Sequence, residues 1–518
     1  MVSLFAACGA VVNFYFLFPL FRSNSISAAV LFAPVLFCIV LLCLFRVLSL
    51  YPLLLSESVE DARHPETIRR FKSASSRIAA FTVGLVLGIS AGAVLPGRAP
   101  DGVVFAVSPA DIHGISGTLL EDPRVVSGGR VMASLSLGRT MSAGGVSASA
   151  SGEITVFFPE ESAERLREFG RGTEVAASGY LRIPNRDGSR FDAYLFSADS
   201  LHITKPAPPL ERFRTGLRLS LIRRFSRPDS GELSNGVPWG GLAQSLLLGV
   251  RDNLDSGFAA SYRKAGCSYI LALSGMHLAV LTALISLLLK RALGMRAAAV
   301  AGAVIIIMYC FLVGPFPSLV RSALMYLLGV MAVLGMLKKD VFSLLCMAFV
   351  LQLAVTPQAG FSIAFMLSYL ALAGIIIIGG KLARIFRGKI PNAILVPLSA
   401  SFGAFVVTAG ITVFYFDILY PAGIIAGVIL APLATPFMVG SILWLILDLI
   451  SPAISSVLNL PLSLLYTLME RVASLAAYIP GITLNFHAAN FITLALVAII
   501  VWLDFRRKAA SSRLDAFA

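Results

Sequence analysis

The stretch SYILALSGMHLAVL, residues 268–281, is apolar apart from Ser274, Gly275 and His277 near its middle. It lies within a longer apolar run, roughly 266–289, and an α-helix needs about 20 such residues to cross the hydrocarbon core of a bilayer. Polar side chains at that depth are costly and mark function by default. The interruption therefore predicts either a path for a polar cargo or a catalytic pair. A helix continuous through it places Ser274 and His277, three apart, on one face.

The same hydropathy recurs on both sides. The 518 residues are 57% hydrophobic, with a mean hydropathy of +0.84, which excludes an ordinary soluble globular protein. Apolar runs of spanning length fall at roughly 1–20, 28–50 and 78–97. Nine more follow at 266–289, 297–314, 319–337, 341–356, 361–380, 393–416, 421–449, 453–478 and 489–504. The fold class expected is a polytopic α-helical membrane protein of about 12 spans, divided by a long polar insert.

The formal net charge of +14 invites a nucleic-acid reading until its location is examined. Residues 98–255 carry equal numbers of acidic and basic side chains, so the excess belongs to the apolar parts. There it gathers in alternate loops: Arg63 to Arg77; Lys290, Arg291 and Arg296; Lys338 and Lys339; Lys381 to Lys389; and Arg506 to Arg513. That alternation is the positive-inside pattern. It predicts both termini in the cytoplasm and the insert outside, with the turns near 314–318, 356–360, 416–421 and 479–489 external and free of Lys and Arg. None of the six cysteines lies in the insert, which excludes a disulfide-stapled outer domain.

The insert reads as β. Short runs at 103–108, 114–120, 131–137, 153–159, 173–183 and 193–204 are separated by turn signals such as Ser127-Gly128-Gly129, with one helical stretch at 160–170. Five or six short strands with one helix suit a small OB-like β-barrel, here extracytoplasmic. After it, residues 212–228 set Leu217, Leu221, Ile222 and Phe225 on one helical face and predict an amphipathic helix lying flat on the outer membrane surface. The expected division is 1–97, an N-terminal membrane segment with about three spans; 98–210, the β domain; 211–262, amphipathic connecting helices; 263–505, a helical membrane domain; and 506–518, a basic cytoplasmic tail.

Four segments in order extend the reading. Gly266-Cys-Ser-Tyr-Ile-Leu-Ala-Leu-Ser-Gly-Met-His277 is preceded by Leu248-Gly249-Val-Arg251-Asp-Asn-Leu254. It is followed by Ser318-Leu-Val-Arg321-Ser-Ala-Leu-Met325 and by Phe365-Met-Leu-Ser368-Tyr-Leu-Ala-Leu-Ala-Gly374-Ile375. Together they resemble the signature segments of the ComEC-type competence proteins, inner-membrane channels for incoming single-stranded DNA. The sequence departs from that pattern at Tyr269, Met366 and Ser322. The resemblance implies a multi-pass protein of the bacterial cytoplasmic membrane whose 263–505 region is the channel. Its implied partners are single-stranded DNA, an outer DNA receptor protein, a cytoplasmic helicase-like motor and the lipid bilayer. Many members carry a metallo-β-lactamase-like domain. The five histidines here are scattered and form no HxHxDH, so either a separate nuclease degrades the other strand or transport here does not involve that cleavage.

A strand crossing a membrane needs a wet path with a few cationic or stacking groups, and polar backbone at depth is tolerated only where it lines such a path. The channel-lining candidates are Ser274, Gly275, His277, Arg321 and Ser368; Gly249, Arg251, Gly266, Ser318, Phe365 and Gly374 support the motifs. Gly275 and Gly374 are expected to make room, and Pro432 and Pro436 to kink the span at 421–449. No phosphate-binding loop of the GxxxxGK[ST] kind is present, and no metal or cofactor is expected. Two readings compete: a small-solute or lipid-linked transporter on the same scaffold, and an intramembrane serine hydrolase with Ser274 as nucleophile and His277 as base. The first reading implies no enzyme.

Overall fold

The computed structural model describes residues 103–500 apart from 127–128, 143, 183–193, 227–238, 336–339, 357–358, 361, 485–491, 494 and 498. The three N-terminal runs, the basic tail and most of the last expected span lie outside the described residues. The chain divides into two compact units, the smaller contributing Leu324–Met366 to the described part.

The polar insert is a β-sheet domain of eight strands: β1 (Val104–Phe105), β2 (Ile112–Leu119), β3 (Arg124–Val125), β4 (Val131–Ser142), β5 (Ser147–Ser151), β6 (Glu153–Phe158), β7 (Glu174–Arg182) and β8 (Leu195–Lys205). Alternation governs β4, where Val131, Ala133, Leu135 and Leu137 point inward and the intervening residues outward. The ladder runs β4–β2–β7–β8–β6, and β6 pairs again with β4, so the sequence of pairings returns on itself. Its core is Ile112, Ile115, Leu135, Val156, Phe158, Val175 and Phe196, with Leu166 supplied by helix α1 (Ala163–Phe169). Six of the strands fall on the expected runs. The other two, β3 and β5, are discussed below.

Three helices follow: α2 (Pro209–Phe225), α3 (Gly240–Leu248) and α4 (Ser256–Lys264). The expectation that α2 turns Leu221, Ile222 and Phe225 toward lipid is not met. Phe225 is buried among Trp239, Trp444 and neighbouring helices, and Leu221 and Ile222 pack on the same core. The exposed apolar side chains of α2 are instead Leu210, Phe213 and Leu217. The protein has enough helical surface of its own to cover the first face, and hydropathy cannot distinguish that cover from lipid.

The remainder is helical apart from a two-stranded antiparallel ladder of Ile418–Leu419 with Ile482–Thr483. After a single turn, α5 (Ser268–Leu271), come α6 (Gly275–Val313), α7 (Pro317–Val333), α8 (Val341–Val355), α9 (Ile363–Ile385), α10 (Asn392–Phe416), α11 (Ala422–Ile450) and α12 (Pro452–Ala476). Five of these, α6, α9, α10, α11 and α12, are long and apolar enough to cross a membrane; α7 and α8 are apolar but shorter. The runs at 266–289 and 297–314 merge into α6, broken at Gly294, whose φ of 75° and ψ of 170° are non-helical. α11 continues as one helix through Pro432 and Pro436. Within the smaller unit, α8 packs Leu344 and Ala348 on Leu328, and Phe349 lies 5.5 Å from Phe365.

Candidate functional site

The Ser-Gly-Met-His interruption does not sit inside a helix. The chain leaves the helical region at Ala272 (φ −83°, ψ 140°), and Ser274, also extended (φ −128°, ψ 173°), is the N-cap of α6. A helix start leaves its first N–H groups without intrahelical partners. Here His277, at the third helical position, reaches back so that its Nδ1 accepts the Ser274 N–H at 2.9 Å, the return half of a capping box. The Ser274 hydroxyl lies 2.9 Å from the same nitrogen. Because Nδ1 is the acceptor, the neutral ring carries its proton on Nε2. His277 is 1% exposed, and its Nε2 has no partner among the described residues.

Helix α7 closes on this cap. The Ser318 hydroxyl donates to the Leu273 carbonyl at 2.5 Å, satisfying the backbone where the chain is extended. One turn on, the Ser322 hydroxyl donates to the Ser318 carbonyl, and Arg321 Nη2 reaches Ser322 Oγ at 3.3 Å. The Arg321 guanidinium stands 5.8 Å from the centre of the Tyr369 ring. A Cβ on Gly275 would lie 2.9 Å from Arg321 Nη2 and 2.8 Å from Ser322 Oγ, so the glycine is what lets the guanidinium lie against the first turn of α6.

The electrostatics are uncompensated. Arg321 is 6% exposed, its Nε is unpartnered, and no carboxylate pairs with it among the described residues. The N-terminal end of a helix carries roughly half a positive charge, so a buried cation faces a positive helix end. Such an arrangement suits an anion. As a hydrolytic pair it is poorly disposed, because Nδ1 already takes the Ser274 N–H and no described carboxylate orients Nε2.

Of the candidates, Ser274, Gly275, His277 and Arg321 are thus brought together with Ser318. Ser368 is half-buried and its hydroxyl makes no hydrogen bond to described residues; its neighbour Tyr369 is the one facing Arg321. Gly374 does not open a path: its Cβ would lie 2.3 Å from the Gly403 carbonyl, so it serves the close packing of α9 on α10. Gly266 (φ 70°) lets the backbone approach Tyr420 and Gly423, and Gly249 (φ 70°) ends α3 in a left-handed turn against Leu273 and Phe316.

Comparison with known proteins agrees with this ordering of motifs. The sequence model of the competence protein family matches residues 246–508. The chain belongs to the ComEC-type competence proteins. One curated relative, ComE operon protein 3 of Bacillus subtilis (strain 168), is 27% identical over 167 residues, 32% of this chain. The match spans only 21% of that relative's length. Family membership and the five helices long and apolar enough to cross a bilayer make this a membrane protein of the competence family.

The β domain is fixed to this helical body through α2. Asp122, in the turn after β2, accepts from Arg214 Nη2 at 2.5 Å and Nη1 at 2.9 Å, from Arg218, and from the Arg171 N–H at 3.1 Å. Glu211 accepts from Arg171 and from Arg214 Nε at 2.6 Å. Burial acts to raise the Asp122 pKa, but the Arg214 hydrogen bond and the Arg218 and Arg214 charges outweigh it and hold the carboxyl below its usual range. The same arginines reach into the helical body, Arg214 to the Leu312 carbonyl and Arg218 to that of Leu248.

Proposed function

We propose that this protein is a channel that passes single-stranded DNA across the bacterial cytoplasmic membrane, and that Arg321, at the capped start of α6, meets the phosphates in transit. The observation that carries the reading is a buried guanidinium with no carboxylate beside it among the described residues, set against a helix N-terminus. An intramembrane charge is retained where it serves a polar cargo, and a polyanion supplies in transit the counter-charge that the resting site lacks. Ser274, His277 and Ser318 hold the extended backbone at 272–274 that shapes the site. In this reading the closed run of strand pairings is an OB-type barrel on the outer face. The protein is multi-pass with about 12 spans, and both termini are cytoplasmic. An outer receptor delivers the strand, a cytoplasmic motor draws it in, and a separate nuclease removes its complement.

The test is uptake of labelled DNA into the cytoplasm of cells carrying the wild-type protein, a deletion, or Arg321→Met at matched membrane abundance. Uptake abolished by the deletion and reduced at least tenfold by Arg321→Met is expected. Unchanged uptake in the deletion strain rejects the channel and leaves the scaffold to be tested as a transporter of a small or lipid-linked solute.

A further inference from the structure

A second basic site lies beside the Gly314-Pro-Phe-Pro turn, built by residues far apart in sequence. The Val125 N–H donates to Asp252 Oδ1 at 3.3 Å, which fastens β3 to the loop between α3 and α4. That bond brings together the preceding residue of each segment, Arg124 and Arg251. The Arg124 guanidinium stands 5.4 Å from the centre of the Phe316 ring. Gly249, two residues before Arg251, lies under the same ring: a Cβ there would be 3.3 Å from Phe316 Cε2. Two arginines and an aromatic ring therefore share one patch, contributed by the β domain, the α3–α4 loop and the start of α7.

The charges in this patch are unevenly matched. Among the described residues Arg124 pairs with Glu121, across 2.7 Å and in the open. The Arg251 carbonyl accepts the Leu254 N–H at 3.1 Å, but its guanidinium has no hydrogen bond or ion pair among the described residues. Burial and the Arg124 charge both pull its pKa below the ordinary arginine value. Of the carboxylates near the patch, Asp252 accepts the Val125 N–H and also acts on Arg218, and Asp122 and Glu211 are engaged by Arg171, Arg214 and Arg218. Two guanidiniums held in mutual repulsion are relieved by a polyanion laid across them, and a ring alongside offers a stacking face that every base can use. Phe316 directly precedes α7 and Arg321 is the fifth residue of that helix, about 7.5 Å further along its axis, so this patch and the Arg321 site follow one helix axis.

We propose that Arg124, Arg251 and Phe316 form the receiving mouth of the channel, the arginines binding successive phosphodiesters of a single strand and Phe316 stacking a base. The inference rests on the channel reading and adds the point at which the strand is first held.

The test is binding of a fluorescein-labelled oligothymidylate to the full chain in phosphatidylcholine nanodiscs, followed by anisotropy over a range of salt concentrations. Each phosphate contact on a single strand contributes about 0.7 to the slope of log affinity against log salt. The double variant Arg124→Gln/Arg251→Gln is therefore expected to flatten the slope by about 1.4, and Arg124→Lys/Arg251→Lys to keep it. Phe316→Ala should weaken binding about tenfold at every salt concentration with the slope unchanged. A wild-type protein that binds with a salt-dependent slope, together with a Gln double variant of equal slope and unaltered thermal unfolding, overturns the mouth and leaves the channel standing. A wild-type protein that binds no oligonucleotide at any salt concentration overturns both.

Discussion

Replacing Arg321 by methionine should make the protein more stable and less active. A buried ion with no counter-ion costs about 3 kcal/mol even after relaxation, and Arg321 is 6% exposed with no carboxylate beside it among the described residues. What Arg321 recovers is small: one bond of 3.3 Å to Ser322 Oγ and a ring face at 5.8 Å. Together these return about 1.5 kcal/mol, and the positive end of α6 opposes the charge further. Methionine fills a similar volume without the charge and adapts to irregular space. The net gain expected is about 1.4 kcal/mol, or tenfold in the ratio of folded to unfolded protein. The assay is equilibrium unfolding of the purified protein in mixed detergent micelles, read beside DNA uptake by cells making the same variant. A variant less stable than wild type by 1 kcal/mol or more would refute the reasoning, because it would show that Arg321 is a satisfied structural group.

Asp122→Asn removes the charge that Arg214 and Arg218 share, and those side chains are only 1% and 12% exposed. Breaking such a buried pair costs about 3 kcal/mol, so amides of the junction such as Leu119 and Gly172 should exchange with solvent about 100-fold faster. Because the folded Asp122 carboxyl lies below its usual range, its contribution is fully present above the unfolded carboxyl pKa and is lost only as pH falls through the lower folded value. Junction exchange, corrected for the intrinsic rate, should then be flat from pH 8 to 5 and rise only in stronger acid. Gly275→Ala places a methyl 2.9 Å from Arg321 Nη2; side-chain ends can yield, so normal abundance with reduced uptake is expected. Gly374→Ala meets the Gly403 backbone carbonyl at 2.3 Å, which cannot yield, and should cost about 2 kcal/mol in unfolding measurements.

The alternation in β4 and β6 and the separation of insert from apolar runs were legible in the sequence, and so was the polarity that singles out Ser274, His277 and Arg321, because period-two burial and polar residues in apolar runs are local signals. What escaped has nonlocal causes. β5, SASAS, has no β-branched residue and is a strand because β4 and β1 pair with it. β3 is two residues placed by β4. The helix break before Ser274 was hidden because hydropathy continues through it; the sign was the N-cap pattern of a serine followed three residues later by a side chain able to reach back. Tyr369 was overlooked since nothing in an apolar helix announces which neighbour faces a distant arginine.

One helix, α2, is bound at three places that need not move together. Its first turn follows β8 after three residues, Arg214 holds the Leu312 carbonyl near the end of α6, and Arg224 holds Asp448 near the end of α11. Ten residues separate those two arginines, about 15 Å of rigid rod. α2 is thus a tie-bar: the ends of α6 and α11 keep their spacing while both arginines hold. Any rearrangement of the apolar helices that alters that spacing must either release one arginine or carry the β domain with it.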